Sequence, residues 1–489
     1  MAKAIMIQGT MSNVGKSVLA AALCRLFARD GYACAPFKSQ NMALNSYVTA
    51  DGLEMGRAQA MQAEAAGIEP SALMNPILLK PTSDVGSQVI VNGEVRGNMR
   101  AAEYFKNKKA LIPDILNAYQ KLSTRYDVIV IEGAGSPVEL NLKADDIVNM
   151  GMAKLAKAPV LLVGDIDRGG VFAQLLGTLD LLDRDERALV KGLIVNKFRG
   201  DRRLFRDGIE ILERRGETPV VGVVPYIPLD LDDEDSLSDR LDKTRADGVV
   251  DVAVMKLPHI SNFTDLDVFL QYEGVSVRYV TRASDLGEPD LMILPGTKST
   301  IADMRWLRES GLEATIKARA SRGSPLFGIC GGYQMLGERI SDPYRAEGGG
   351  EISGIGLLKC QTVFSRDKNR LQTSGTFAEI GGVFSALSGK AFSGYEIHMG
   401  ETVSDSPALL SVGGAFEGNV YGCYVHGIFD RAEVAEAVVS ALYKRKGLTY
   451  GGERIDRAVY KERQYDLLAD EVKKNVDMAL IYKILEEGV

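Results

Sequence analysis

"AIMIQGTMSNVGKSVLAAALC", residues 4–24, joins an apolar run to a helix-like run through a glycine-containing loop that closes on Gly-Lys-Ser. In that order of elements, backbone N–H groups of the loop and the helix N-terminus cradle phosphate oxygens, the lysine reaches the outer phosphates, and the following hydroxyl can hold Mg²⁺. The residues in question are Gly9, Thr10, Ser12, Gly15, Lys16 and Ser17. The stretch predicts an α/β fold with a phosphate site at a strand-to-helix turn, and ATP and Mg²⁺ as cofactors.

Outward from this loop the same rhythm continues. "ACAPFK", "YDVIVIEGAG", "APVLLVGDID", "KGLIVNKF" and "TPVVGVVPY" are nearly all apolar, as strands covered on both faces of a parallel sheet must be;. Residues 230–248, DLDDEDSLSDRLDKTRADG, are polar and acidic, cannot bury an apolar face, and interrupt the pattern;. Strand-like runs resume with "VDVAVMKL", "VSVRYVT", "DLMILPG" and "PLFGICGG". The expectation is two doubly wound, mostly parallel-sheet domains: residues 1–235, a linker at 236–250, a second domain at 251–445, and a C-terminal helical segment at 446–489. In the last of these Leu468, Val472, Val476, Leu480 and Ile484 recur every four residues, the mark of one amphipathic helix;.

A chain of 489 residues is too long for one core and fits two large ones;. Its net charge of −7 disfavours a nucleic-acid partner;. The N-terminus lacks signal-peptide regions and no apolar run approaches the length of a membrane span, so a cytoplasmic protein without a membrane partner is expected. Cys24, Cys34, Cys330, Cys360 and Cys423 form no C-x-x-C pair, which argues against a disulfide frame or structural zinc;.

Glu132 ends an apolar strand and precedes Gly-Ala-Gly, where a Mg²⁺ ligand beside the phosphate loop belongs;. Asp51 is a second candidate ligand. Asn196 and Lys197 follow a later strand, a position from which nucleotide bases are often read. In "SPLFGICGGYQMLGERI", residues 324–340, Gly328, Cys330 and Gly332 form G-x-C-x-G, the thiol counterpart of a nucleophile elbow;. A helix N-terminus favours the thiolate, which makes Cys330 the candidate nucleophile. Of the three histidines, His426 is the candidate base, and His259 and His398 are expected to be hydrogen-bonded structural residues.

The loop spacing resembles dethiobiotin synthetase and its relatives, matched at Gly9, Thr10, Ser12, Gly15, Lys16 and Ser17, and E-G-A-G after the strand resembles the same enzymes. Met11 stands where partition ATPases of the MinD type carry an extra lysine. The region around Cys330 is similar to class I glutamine amidotransferases. That resemblance implies His426 as the partner and an oxyanion hole at Gly296 and Gly331. It also implies a glutamate two residues past the histidine, where this chain has Ile428, so Cys330 and His426 work as a dyad or with an acid from elsewhere;.

Over nearly the whole chain, through "FKSQNMALNSYVTADGLEMGRAQAMQAEAAG", "NPILLKPTSDVGSQVIVNG", "GDIDRGGVFAQLLGTL", "GYEIHMGET" and "YVHGIFD", the sequence resembles the cobyric acid synthases of cobalamin biosynthesis. The resemblance implies Mg·ATP- and glutamine-dependent amidation of the b, d, e and g carboxylates of adenosylcobyrinic acid a,c-diamide. Related enzymes that make the a,c-diamide are the alternative, and a nucleotide-switched binding protein is the alternative outside enzymes. A polycarboxylate corrinoid wants cations, for which Lys38, Lys80 and Arg168 are candidates; Asp145 and Asp146 position the corrin or cap the helix that follows.

Overall fold

The computed structural model describes residues 2–83, 86–231, 241, 243–453 and 456–489. The end of the first expected domain (232–235) and much of the expected linker (236–240 and 242) lie outside the described residues.

The apolar runs become two sheets. Lys3–Gly9, Cys34–Phe37, Val128–Glu132, Val160–Asp165, Val190–Phe198 and Val220–Pro225 pair in parallel, with Lys3–Gly9 between Val128–Glu132 and Val160–Asp165. All five residues of Val128–Glu132 and all six of Val160–Asp165 are buried, because helices cover both faces;. The second sheet runs Val275–Val280, Val250–Met255, Leu291–Leu294, Leu326–Ile329 and Val420–Cys423 in parallel, with Ala415–Glu417 antiparallel on its edge. Both are doubly wound α/β layers, as the sequence implies.

Two accessory sheets do not follow from the apolar rhythm. Gln40–Met42, Ile77–Ser83, Gly86–Val91 and Glu94–Arg100 form one beside the first domain. The long hairpin Cys360–Thr376 and Ala391–Ser404 builds the other, and carries Tyr395, Ile397 and His398. A short hairpin, Ser46–Val48 with Glu54–Gly56, lies between the domains, where Val48 packs with Tyr395 and Ile397.

The C-terminal pattern is two helices, Arg457–Asn475 and Met478–Glu487, not one. The break has a cause: Val476 bridges to Gly222 at the edge of the first sheet, and Asp477 Oδ1 caps the next helix by accepting from Leu480 N at 3.0 Å;. Both helices return to the first domain. Tyr465, Leu468, Val472, Ile481, Ile484 and Leu485 join the core formed by Leu19, Leu23, Leu26 and Phe27 of the helix Lys16–Arg29. Arg25 pairs with Glu462 at 2.7 Å and Asp466 at 2.9 Å across this contact.

Candidate active site

The phosphate loop takes the shape its glycines permit. Gly15 has φ 97°, a left-handed value, and a Cβ there would lie 2.2 Å from Asn196 Nδ2;. Lys16 Nζ reaches back to Met11 O at 3.0 Å and across to Gly135 O at 3.2 Å, so the loop and the E-G-A-G turn meet at the lysine. Ser17 Oγ donates to Glu132 Oε1 at 2.9 Å. Thr10 Oγ1 donates to Gln174, and Ser12 sits exposed at the crest of the loop.

Glu132 is 1% exposed and heavily partnered: Lys38 Nζ lies 2.9 Å from Oε1, while Gln59 and Gln62 donate to Oε2 at 3.2 and 2.6 Å. Gln59 and Gln62, on the helix Arg57–Ala65, were not singled out from the sequence; two glutamines on one face of an otherwise alanine-rich helix were the available signal. A hydroxyl and a carboxylate oxygen at hydrogen-bond distance suit a hard cation that takes one or two protein oxygens and keeps waters and phosphates as its other ligands. Gln62 Oε1, buried beside them, has no hydrogen-bond partner among the described residues, which leaves an acceptor for such an ion's water. The residues present therefore fit Mg²⁺ and a bound triphosphate. Among the described residues no group of three or more His, Cys, Asp and Glu is arranged to hold a metal ion by itself.

Several expected residues stand elsewhere. Asp51 is exposed in the turn of the Ser46–Gly56 hairpin, its carboxylate accepting from Thr49 Oγ1, while a Cβ on its neighbour Gly52 would lie 3.5 Å from Arg370 O of the second domain. Asp146 caps the turn that leads into the next helix: its oxygens accept from the N–H groups of Val148, Asn149 and Gly151 at 2.8, 2.9 and 2.8 Å. Asp145 pairs with Lys109 at 2.9 Å. Asn196 braces the loop, donating to Val14 O at 2.7 Å. Lys197 pairs with Asp165 at 3.1 Å, and Arg168 is half exposed near the same carboxylate. Lys38 is the charge partner of Glu132, and Lys80 belongs to the other centre.

That centre is built on the strand Leu326–Ile329, the turn at Cys330 and the helix Gly331–Leu336. Cys330 has φ 52° and ψ −109°, a conformation that costs a non-glycine residue about 1–3 kcal/mol and persists only when the surroundings enforce it;. They do so by contact: a Cβ on Gly332 would lie 1.9 Å from Leu294 O, and one on Gly328 would lie 2.8 Å from Gly332 O. Cys330 and His426 line one pocket together with Ser261, Asn262, Thr297, Lys298 and Lys80. Gly296 packs on the histidine, since a Cβ there would be 3.0 Å from His426 Cε1. Gly331 abuts Thr297, with a built Cβ 3.1 Å from Thr297 N, so Gly296 and Gly331 both lie against residues of the elbow pocket.

The acid that the sequence left open is Asp265. Its Oδ2 lies 2.7 Å from His426 Nδ1 and its Oδ1 accepts from Gly427 N at 2.9 Å. Burial opposes a charge on His426, but the Asp265 carboxylate, with the Cys330 sulfur behind it, overcomes that and pushes the imidazole up to about 10;. The ring is thus an imidazolium at neutral pH, next to the sulfur. Asp265 was missed because it comes long before the elbow in the chain; an acid within the apolar run Phe263–Gln271 was the available signal.

His398 and His259 are held structurally. His398 stacks on Tyr424 with ring centroids 3.7 Å apart and bonds Gly400 O and Glu396; His259 Nδ1 is 2.7 Å from Asp303. Deeper in the pocket wall Glu54 is fully buried between Lys80 at 3.0 Å and Lys368 at 2.6 Å. Burial pulls Lys368 down to about 7 despite Glu54. Lys80 comes from the first domain and Lys368 from the second, so the elbow pocket is closed by both.

Two family models match the chain. Residues 5–237 match the CobQ/CobB/MinD/ParA nucleotide binding domain, and residues 251–434 match the CobB/CobQ-like glutamine amidotransferase domain. The chain is 56% identical over 504 residues to a cobyric acid synthase of Ruminiclostridium cellulolyticum, covering 100% of this chain and 98% of the relative. It is also 56% identical over 514 residues to a cobyric acid synthase of Lachnoclostridium phytofermentans, covering 100% of both. Among solved structures, PurLQS from Thermotoga maritima aligns with 44% of this chain and 98% of its own at 20% identity and TM-score 0.29.

Proposed function

Because the chain belongs to the cobyric acid synthase family, and is thereby a glutamine-hydrolysing, amide-forming ligase of cobalamin biosynthesis, we propose how its residues divide that work. The observation that carries the reading is the presence in one chain of a strained thiol turn beside a His426–Asp265 pair and of a phosphate loop facing a buried carboxylate.

At the elbow, the Cys330 sulfur attacks the side-chain amide carbon of glutamine. The oxyanion is received by backbone N–H groups at Gly296 and Gly331. His426, held by Asp265, gives its proton to the departing nitrogen, and ammonia leaves as the thioester forms; water then gives a proton back to His426 and its hydroxyl to the acyl carbon, which releases glutamate and frees the Cys330 sulfur. At the loop, Lys16 and the loop N–H groups hold the triphosphate of ATP while the corrinoid carboxylate takes the terminal phosphoryl group as an acyl phosphate. Ser17 and Glu132 would hold Mg²⁺, which would supply charge neutralisation on the phosphates;. Lys38 pairs with Glu132 in its buried setting and holds the carboxylate in place, and ammonia displaces phosphate to leave the amide. The acceptors are the b, d, e and g carboxylates of adenosylcobyrinic acid a,c-diamide.

Cys330→Ala separates the two chemistries: glutamine-dependent amidation is abolished and amidation from high ammonium salt persists. Glutamine-dependent turnover in that variant overturns the elbow assignment. Lys16→Ala loses amidation from both nitrogen donors, and normal ammonium-driven turnover would remove the loop from the mechanism. Conversion of unamidated cobyrinic acid in preference to the a,c-diamide would favour the diamide-forming alternative.

A further inference from the structure

The catalytic histidine is linked, through Asn262 and Tyr395, to residues of the other domain. Asn262 starts the short helix Phe263–Gln271 with φ 52°, and its main-chain N–H is given to Asn45 Oδ1 at 2.7 Å. In return, Ser46 N donates to Asn262 Oδ1 at 3.3 Å. Asn262 Nδ2 donates to Tyr395 Oη at 3.0 Å, and that hydroxyl donates onward to Ser46 O at 3.1 Å. The four groups close a ring of hydrogen bonds across the domain boundary, all of them buried.

Both supports of His426 depend on this ring. Asp265 N–H donates to Asn262 O at 3.2 Å, so turning the Asn262 peptide turns the first turn of the helix that presents the Asp265 carboxylate to Nδ1. Tyr395 stacks on the imidazole with centroids 5.3 Å apart and planes 25° from parallel, and the two residues exchange main-chain hydrogen bonds at 3.1 and 2.8 Å. One face and one edge of the ring are thereby fixed through Asn262.

We propose that Asn45, on the nucleotide-binding half, is a positioning residue for glutamine hydrolysis, acting through Asn262 and Tyr395 to set the plane and the Asp265 bond of His426. The inference rests on the reading of Cys330 and His426 given above. Its physical basis is that a catalytic group displaced by a fraction of an ångström loses rate without losing substrate affinity. The segment that bears Asn45 continues through Glu54–Gly56 into the helix Arg57–Ala65, whose Gln59 and Gln62 grip Glu132. The same stretch of chain therefore reaches both centres.

The test uses the full chain, with glutamate release and ammonium-driven amidation measured side by side. Asn45→Leu removes the acceptor. The expected result is a fall in kcat for glutamine hydrolysis of at least about tenfold, with KM and ammonium-driven amidation within about twofold of the parent. Asn45→Asp restores an oxygen acceptor for the Asn262 N–H and recovers kcat to within about threefold. Tyr395→Phe, which removes the bridging hydroxyl from the opposite side, lowers kcat in the same direction. Unchanged glutamine hydrolysis in both Asn45→Leu and Tyr395→Phe overturns the proposal. So does loss of both activities in Asn45→Leu with Tyr395→Phe unimpaired, because the ring is then an element of folding alone. Cys330→Ala tests the underlying reading separately: if it still hydrolyses glutamine, that reading fails whatever Asn45 does.

Discussion

His426 is where the electrostatics of the second centre concentrate. An imidazole raised to about 10 donates a proton readily at neutral pH, and glutamine hydrolysis declines only as pH approaches that value;. In Asp265→Asn the raising charge is gone, so the alkaline limb of the pH–rate profile moves to lower pH and kcat falls on the order of 10²–10⁴-fold. Ammonium-driven amidation is spared. Stability has its own signature. Because the folded pKa lies above the ordinary value near ~6.5, the imidazolium–carboxylate pair contributes fully below that pH, and its contribution is lost as pH rises through about 10;. The stability gap between the parent and Asp265→Asn, read by urea denaturation across pH 6–10, narrows toward the alkaline end. None of this was legible at Ile428, where family resemblance placed the acid. Asp265 and His426 are 161 residues apart in sequence, and only the packing of the Phe263–Gln271 helix against the turn at Gly427 brings them together.

The elements themselves were read with uneven success, for a physical reason. Parallel strands buried on both faces must be runs of apolar residues, so Val128–Glu132, Val160–Asp165 and Leu326–Ile329 announce themselves;. Glu94–Arg100 alternates exposed and half-buried residues and contains Gly97, and the long hairpin strand Cys360–Thr376 is mostly half-buried or exposed; such strands give no continuous signal. The phosphate loop and the elbow were legible because strain and close approach demand glycine at fixed spacings. The supporting shells were not: Lys80, Glu54 and Lys368 acquire meaning only when two domains meet. The elbow yields a direct prediction. In Gly332→Ala the new Cβ meets the Leu294 main chain at 1.9 Å, so the strand–turn–helix has to open. Glutamine hydrolysis falls at least about a hundredfold and stability drops by about 1–3 kcal/mol, while amidation from ammonium survives. Parent-like glutamine hydrolysis in this variant would show that the turn tolerates a side chain.

At the scale of the molecule, the proposed function has one phosphate loop and one thiol turn serve several carboxylates in succession. If partly amidated corrinoid departs between rounds, a time course at limiting enzyme shows species with three, four and five amides before the six-amide product, with one phosphate released per amide. Mass spectrometry alongside phosphate release measures it; a direct jump from diamide to six-amide product at limiting enzyme would mean that the corrinoid stays bound. The architecture makes a second prediction. Ile481 is fully buried against the first domain, far in sequence from its partners Leu19 and Leu23. Ile481→Ala destabilises that domain by about 2–5 kcal/mol and lowers nucleotide-dependent activity at elevated temperature, with glutamine hydrolysis less affected. Equal loss of both on heating would place the helix in a single cooperative unit spanning the molecule.

The return of Arg457–Asn475 and Met478–Glu487 to the helix Lys16–Arg29 also sets an order of events during synthesis. A ribosome delivers the six strands of the first sheet early, yet the apolar flank made by Leu19, Leu23, Leu26 and Phe27 waits for a cover that emerges only after the second sheet. The second sheet, by contrast, is drawn from one contiguous stretch, Val250 to Cys423, and has all its strands to hand before the final helices exist. The half translated second is therefore free to mature first, and the nucleotide-binding half is finished only when the exit tunnel releases Leu485. Nascent chains stalled short of that point should bind a chaperone through the uncovered flank of Lys16–Arg29, while their thiol turn is already folded.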